Sequence, residues 1–363
     1  MRVCCCALAT LLVAGAAASG PSSAPCDILG AAGNPCVAAH STVRSLYAQY
    51  SGPLYRVRRP DNSSATISAL GPGGFADIAA QETFCAAGDC VIANVFDQSP
   101  QGNHLGQRIS DGVVHKMVNA SRHKVGVAGG AHQVYGMWFD PGHGYHIDDT
   151  TGVAKGNEPE SIYAVMSGTH YNGQCCFDYG NSENTRLQPV ATGDYACGAM
   201  EAIYLGNAHW QGNTGAGAGP WVGADLEAGM FYGGGNQTKA NPANKPLTTD
   251  FVSLHLKGRT DGFALKGGDA TQGAFETMYD GPRPDHRSAP NDCHWHGVNG
   301  SYQPMRKQGA IILGTGGDNS NGAVGTFFEG FIASGVTSDE TDDQIQASIV
   351  AVGYKTLPAP ALA

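Results

Sequence analysis

Charge is scarce in this chain. Asp, Glu, Lys and Arg make up 14% of its 363 residues, against ~25% in an average globular domain. The 21 basic residues form no cluster, and 31 acidic ones outnumber them to give a net charge of -10. A nucleic-acid-binding surface needs gathered cations, so that class of partner is excluded and an uncharged ligand is easier to accept. No apolar run reaches the roughly 20 residues that a membrane span requires, and the closing LPAPALA has no hydrophobic tail for a lipid anchor. Familiar catalytic signatures are missing too. There is no Gly-x-Ser-x-Gly elbow, no phosphate-cradling Gly-x4-Gly-Lys-Ser/Thr, and no full Gly-x-Gly-x-x-Gly opening a helix. Serine hydrolysis and nucleotide chemistry both lose weight.

What is present begins with MRVCCCALATLLVAGAAASG, where Arg2 precedes an apolar stretch from about Ala7 to Ala18 with small Ala-x-Ala positions near Ala16 and Ala18. This reads as a secretory signal over residues 1–20, so the mature chain is expected to be secreted. Cys4, Cys5 and Cys6 would leave with it, which reduces eleven cysteines to eight: Cys26, Cys36, Cys85, Cys90, Cys175, Cys176, Cys197 and Cys293. An even number in an oxidising compartment points to disulfides, although eight cysteines allow on the order of a hundred pairings. Cys26 with Cys36 and Cys85 with Cys90 are natural local loops. Cys175 and Cys176 are neighbours, and bonding to each other would bring them below the usual Cα separation of roughly 4.4 to 6.8 Å. Sequons at Asn62, Asn119, Asn236 and Asn299 fit a glycosylated surface.

Glycine is abundant, at 52 residues, about twice average usage. Short apolar runs alternate with Gly/Asn/Asp/Pro turns: 160–168, 200–206, 251–258, 309–314 and 326–335. In FVSLHLK the period is two, with Phe251, Ser253, His255 and Lys257 opposite Val252, Leu254 and Leu256, which predicts a half-buried strand. Helical spacing occurs twice, in HSTVRSLYAQY (His40 to Tyr50) and in SDETDDQIQASIVAV, with Ser338 as cap and acidic residues in the first turn. The expectation is an all-β sandwich of two packed antiparallel sheets with a few short helices. No linker or composition break divides residues 21–363, so one domain is expected.

HGYH (His143 to His146) and CHWH (Cys293 to His296) each lack a matching second pair, so neither makes a metal site. A calcium loop starting at Asp318 fails at its middle positions, where Ser320, Gly322 and Ala323 stand. Two acidic stretches remain. GPWVGADLEAGMF sets Asp225 and Glu227 two apart, hence on one face of a strand. GAIILGTGGDNSNG delivers Asp318 at a strand tip among glycines, where a substrate can approach closely. Two such carboxylates suit glycoside cleavage, in which one acid protonates the leaving oxygen while the other attacks or activates water.

Almost the whole mature chain resembles the catalytic domain of glycoside hydrolase family 54, the secreted α-L-arabinofuranosidases. The likeness is carried in order by PCDILGAAGNPCVAAHSTVRSLYAQYSGPLYRVRR, GGFADIAAQETFC, FDQSPQGNHL, YAVMSGTHYNGQCCFDYGN, MEAIYLG, GPWVGADLEAG, GAIILGTGGDNSNGA and GTFFEGFIASG. The resemblance implies a sandwich of concanavalin type and a retaining mechanism without cofactor or metal, with Glu227 as nucleophile and Asp318 as general acid/base. It also implies that Asp225 and the backbone at Gly317 hold sugar hydroxyls, that Trp210 and the Ala228–Gly229 turn line the pocket, and that Cys175 and Cys176 form a vicinal disulfide beneath the furanose. Arabinose-containing plant polysaccharides would be the partners of a monomeric enzyme. Three departures stand out. Ala228 replaces the usual Asn. Cys197 and Cys293 lie outside the shared pattern and are expected to pair with each other. The C-terminal arabinose-binding β-trefoil common in the family is not expected here. Two alternatives are a non-catalytic, lectin-like sandwich and a furanosidase with another preference, such as galactofuranose.

Overall fold

The computed structural model describes residues 24–110, 112–185, 197–209, 213–227, 229–233, 240–284 and 302–358. Its strands fall into two large sheets in which every ladder is antiparallel. The first runs in the order Glu276–Gly281, Phe263–Asp269, Val252–Gly258, Glu160–Met166, Gly325–Ser334, His132–Phe139 and His123–Val127, with Cys36–Ser41 also pairing to Gly325–Ser334. The second runs Met230–Phe231, Trp221–Asp225, Glu201–Gly206, Asp178–Ser182, Ala310–Leu313, Tyr145–Ile147, Leu105–Gln107, Val91–Val95, Pro53–Arg58 and Ser64–Ser68. The sheets pack face to face. Tyr179 of the second meets Phe327 of the first in a tilted contact at 5.2 Å between ring centroids, and a Cβ at Gly330 would come within 2.5 Å of the Tyr179 ring. Glycine there leaves room for the tyrosine ring against the opposing strand. The five expected strands all appear, within a residue or two of their sequence-based limits.

The helix expected near the C-terminus forms as Asp339–Val350, with Ser338 Oγ accepting the Thr341 N–H. Two short helices, Pro25–Ala31 and Ile78–Cys85, were not anticipated. The helix expected over His40 to Tyr50 does not form. His40 and Ser41 end a strand, and the N–H groups that follow are taken by a side chain of the segment itself or by groups elsewhere in the fold, not by a helical ladder. Ser41 Oγ accepts from Val43 and Arg44, while Leu46 N–H goes to Gln98 Oε1 and Ser45 N–H to the Gly74 carbonyl. Val43 and Leu46 are still fully buried, so their helical spacing reflects a core requirement met by turns.

The expectation of a half-buried strand over residues 251–257 also needs correction, because both of its faces are covered. The Asp339–Val350 helix lies across the polar face. Ser253 Oγ donates to Gln346, and Lys257 and Lys266 each place Nζ 2.6 Å from buried Asp342. On the same face Arg44 and Glu329, both fully buried, form a two-pronged pair with both contacts at 2.7 Å. Polar residues thus alternate in sequence because they bond to a helix, not because they meet water.

Disulfides join Cys26 to Cys36, Cys85 to Cys90 and Cys175 to Cys176. Cys197 is not a free thiol, but the expected Cys197–Cys293 pairing falls outside the described residues because Cys293 does. The expected signal at 1–20 and the Asn236 and Asn299 sequons also lie outside them. Asn62 is exposed and Asn119 half-buried. No helix among the described residues is long and apolar enough to cross a membrane.

Candidate active site

Three adjacent strands bring acids together. Asp178 opens its strand, and Asp225 closes another that pairs through Glu201–Gly206 with Asp225 opposite Ala202 and Ala202 opposite Gly180. Residues directly opposite share a face, as do residues two apart on one strand, so Asp178 and Asp225 point the same way. Glu183 follows the end of the Asp178–Ser182 strand.

The chain turns sharply after Asp225. Glu227 has φ 59°, a left-handed conformation unusual for glutamate. The turn is held by Glu227 N–H on Asp225 Oδ1 at 3.0 Å and by Leu226 N–H on the Gly229 carbonyl. Asp225 and Glu227 are therefore neighbours through a side-chain-capped turn, and the shared strand face inferred from their spacing is not the cause.

The opposite wall is the loop that follows Ala310–Leu313. Gly314 has φ +73° and its N–H bonds the Asp178 carbonyl, which ties the loop to the acid strand. Gly316, Gly317 and Asp318 follow, with Ser320 N–H on Asp318 Oδ1 at 2.8 Å. The floor is the Cys175–Cys176 disulfide, whose linking peptide is cis. Cys176 Sγ lies 3.5 Å from Asp225 Oδ2, and Gly322 N–H bonds the Cys175 carbonyl. Together Cys175, Cys176, Asp225, Glu227, Gly316, Gly317 and Asp318 line one small pocket of ≈ 90 Å³.

Carboxyl groups crowd one another here. Burial first, then the carboxylates of Glu183, Asp225 and Asp318, push the Glu227 carboxyl well above its ordinary range. Burial also raises Asp225 to about 7, with Glu183 and Asp318 adding to the rise and the Glu227 N–H opposing it. Asp178 is fully buried and raised well above its ordinary range, by burial and then by Asp225. Neither of its oxygens meets an N–H or O–H donor among the described residues. Its contact with Asp225, like that of Glu183 with Glu227, is a carboxyl–carboxyl approach that becomes a hydrogen bond only with a proton in it. Glu227 and Asp318, carried by different strands, therefore face one small space, the two-acid arrangement that acid-assisted displacement at an anomeric carbon uses.

Of the sequence-predicted residues, Glu227, Asp318, Asp225, Gly317, Cys175 and Cys176 share this pocket. Gly229 supports the Glu227 turn, its carbonyl accepting from Leu226 N–H. Its role is set by the left-handed step at Glu227, which folds the chain back. Trp210 and Ala228 lie outside the described residues. Asp178, Glu183 and Arg108 were missed by sequence reasoning. The first two follow the cysteine pair closely, and two acids in the stretch DYGNSE were the available signal. His143 and His146 do not converge on a metal-binding set. Among the described residues the only close group of potential ligand atoms is Cys175, Cys176 and Asp225, and its sulfurs are oxidised to a disulfide instead of thiolates. A larger cavity of ≈ 620 Å³ lies elsewhere, beside Arg122, Lys124 and Asp250, and offers no pair of acids.

Fold and pocket together place the protein in the class of β-sandwich catalytic domains that work with paired carboxylates. Comparison with known families is specific: the chain belongs to the family described as "Alpha-L-arabinofuranosidase B, catalytic", matched over residues 25–355. It is 44% identical over 349 residues to alpha-L-arabinofuranosidase B of Aspergillus niger, covering 94% of this chain and 66% of that protein. It is 43% identical over 359 residues to an alpha-L-arabinofuranosidase of Hypocrea jecorina, covering 96% and 67%. The chain thus spans about two thirds of the length of these relatives. Among solved structures, a GH54 α-L-arabinofuranosidase soaked with a cyclic sulfate inhibitor and an arabinofuranosidase complexed with arabinofuranosyl-alpha-1,2-xylobiose each align with a TM-score of 0.84 and 42% identity. Each alignment covers 94% of this chain and 68% of the other.

Proposed function

We propose that this chain is a secreted, retaining, exo-acting α-L-arabinofuranosidase that removes terminal arabinofuranosyl groups from arabinan- or arabinoxylan-type side chains. The observation that carries this reading is the convergence of Glu227 and Asp318, ninety-one positions apart, in one pocket floored by the Cys175–Cys176 disulfide. Glu227 attacks the anomeric carbon as Asp318 protonates the departing oxygen, giving a glycosyl-enzyme and a free alcohol. Asp318 then takes a proton from water, which displaces Glu227 and releases arabinose with its configuration retained. The pocket's small size favours one terminal furanose over an internal chain, and its apolar sulfur floor suits the flat face of a five-membered ring. The relative bound to arabinofuranosyl-alpha-1,2-xylobiose supports the choice of sugar and of a xylan-type aglycone.

The test is Glu227→Gln assayed with an aryl α-L-arabinofuranoside. Turnover should fall by at least about 10⁴-fold, the scale of losing a covalent nucleophile, while the thermal melt stays close to wild type. Activity near wild type would remove Glu227 from the chemistry. Binding of arabinofuranosides without turnover by the wild type would favour the lectin-like alternative.

A further inference from the structure

Arg108 lies directly after the Leu105–Gln107 strand and is buried, with 1% of its surface exposed. Its backbone is fixed at both ends, with its N–H on the Gly144 carbonyl and its own carbonyl accepting the His115 N–H. Its guanidinium reaches across to the loop carrying Asp318. Nε lies 2.7 Å from Asn319 Oδ1, Nη1 2.9 Å from the Gly316 carbonyl, and Nη2 2.5 Å from the Gly317 carbonyl. Ser110 Oγ adds a second hydrogen bond to Asn319 Oδ1 at 2.6 Å. Three acceptors on consecutive turns of one loop are met by one planar fork, a geometry that lysine cannot reproduce.

The loop needs such a clamp. Gly314, Gly316 and Gly317 precede Asp318, and glycine leaves the backbone more conformations than any other residue. Asp318 is itself exposed, and the hydrogen bond to its carboxyl comes from Ser320 of the same loop, so the carboxyl stands only as firmly as the loop does. Asn319 adopts a left-handed φ of 71° that its bonds to Arg108 and Ser110 hold. In a trans peptide the N–H points opposite to the C=O. With the Gly316 and Gly317 carbonyls turned onto Arg108, the N–H groups of Gly317 and Asp318 therefore face away from it.

We propose that Arg108 is a positioning residue for proton transfer: it fixes the loop so that the Asp318 carboxyl stands within reach of the departing oxygen. The proposal rests on the assignment of Asp318 as general acid/base. A general acid matters most when the leaving group is poor and hardly at all when it leaves readily as an anion. A residue that acts through Asp318 must therefore show its effect according to the leaving group, which a general loss of folding would not.

The experiment compares wild type, Arg108→Gln and Asn319→Gly on methyl α-L-arabinofuranoside and on 2,4-dinitrophenyl α-L-arabinofuranoside. For Arg108→Gln, kcat/KM on the methyl glycoside should drop about 10²-fold, the scale of misplacing a catalytic group. On the dinitrophenyl glycoside kcat/KM should change by less than about tenfold. There kcat and KM should fall together, because the second step still needs Asp318 as base. Asn319→Gly keeps the left-handed backbone but removes one acceptor, so it should show the same ordering with smaller losses, and it decides the matter if Arg108→Gln does not fold. Equal losses on both substrates, or none on either, would overturn the role of Arg108 while leaving the proposed function intact. A wild type inactive on both would overturn that function and the role of Arg108 with it.

Discussion

Gly317→Ala is the sharpest perturbation of the pocket, because its effect can be worked from contacts alone. Gly317 does not use a left-handed φ, so alanine meets no backbone penalty there. The added Cβ would instead lie 1.7 Å from Glu183 Oε2, 2.5 Å from its Cδ and 2.8 Å from Oε1. Glu183 is only 3% exposed and cannot swing into solvent without giving up Ser182 Oγ at 3.1 Å and its contact with Glu227. Either Glu183 is displaced or the Asp318 loop moves outward. Overpacking of this kind costs about 1–3 kcal/mol of stability, and a shift of the loop by an ångström costs about 10²-fold in kcat/KM. Urea denaturation and steady-state assays on an aryl arabinofuranoside read the two effects separately. Glu183→Asp, shorter by one methylene, should restore part of the lost stability in the double variant and so report the coupling directly. Stability within about 0.5 kcal/mol of wild type, together with unchanged kcat/KM, would refute the argument.

Asp225 sets a pH dependence. Its folded-state value of about 7 exceeds the ordinary 3.8, so between these values the folded protein keeps a proton that the unfolded chain releases. Its contribution to stability is therefore complete below pH 3.8 and lost as pH rises to about 7, and melting curves of Asp225→Asn should decline less steeply over that window. Parallel curves would contradict the assignment. Replacing Cys175 and Cys176 together by serine should leave the melting temperature nearly unchanged, since a bond between neighbours closes almost no chain loop, while KM for arabinofuranosides rises. A large loss of stability with unchanged KM would mean that the pair serves the fold instead of the sugar.

The strands were legible because each is a short apolar run bounded by glycine, asparagine or proline, and such runs have few other ways to be buried. Periodicity misled twice, at residues 40–50 and 251–257, for one reason. Both patterns record what a segment is buried against, and a buried arginine pair or an overlying helix is invisible along the chain. The stretches that carry the two proposed catalytic acids stand out because each is a distinctive local setting, Asp318 among glycines and Glu227 beside Asp225. Asp178, Glu183 and Arg108 do not, since their importance depends on which strands lie next to which. Gly314 meets Asp178 across a separation of more than a hundred residues, and Arg108 reaches Gly316 over an even longer one.

The position of the Gly325–Ser334 strand has a consequence for biosynthesis. It pairs with Glu160–Met166 along one edge and with both Cys36–Ser41 and His132–Phe139 along the other, so among the described residues the earliest strand waits for the latest. That sheet cannot close until residue 334 has left the ribosome, so Cys36–Ser41 lacks its partner for some three hundred residues of synthesis, whereas strands such as Pro53–Arg58 and Ser64–Ser68 find each other early. Long-range pairing of this kind is slow and leaves strand edges exposed meanwhile, so chaperone supply and local bonds such as Cys26–Cys36 bear on yield well before the pocket exists.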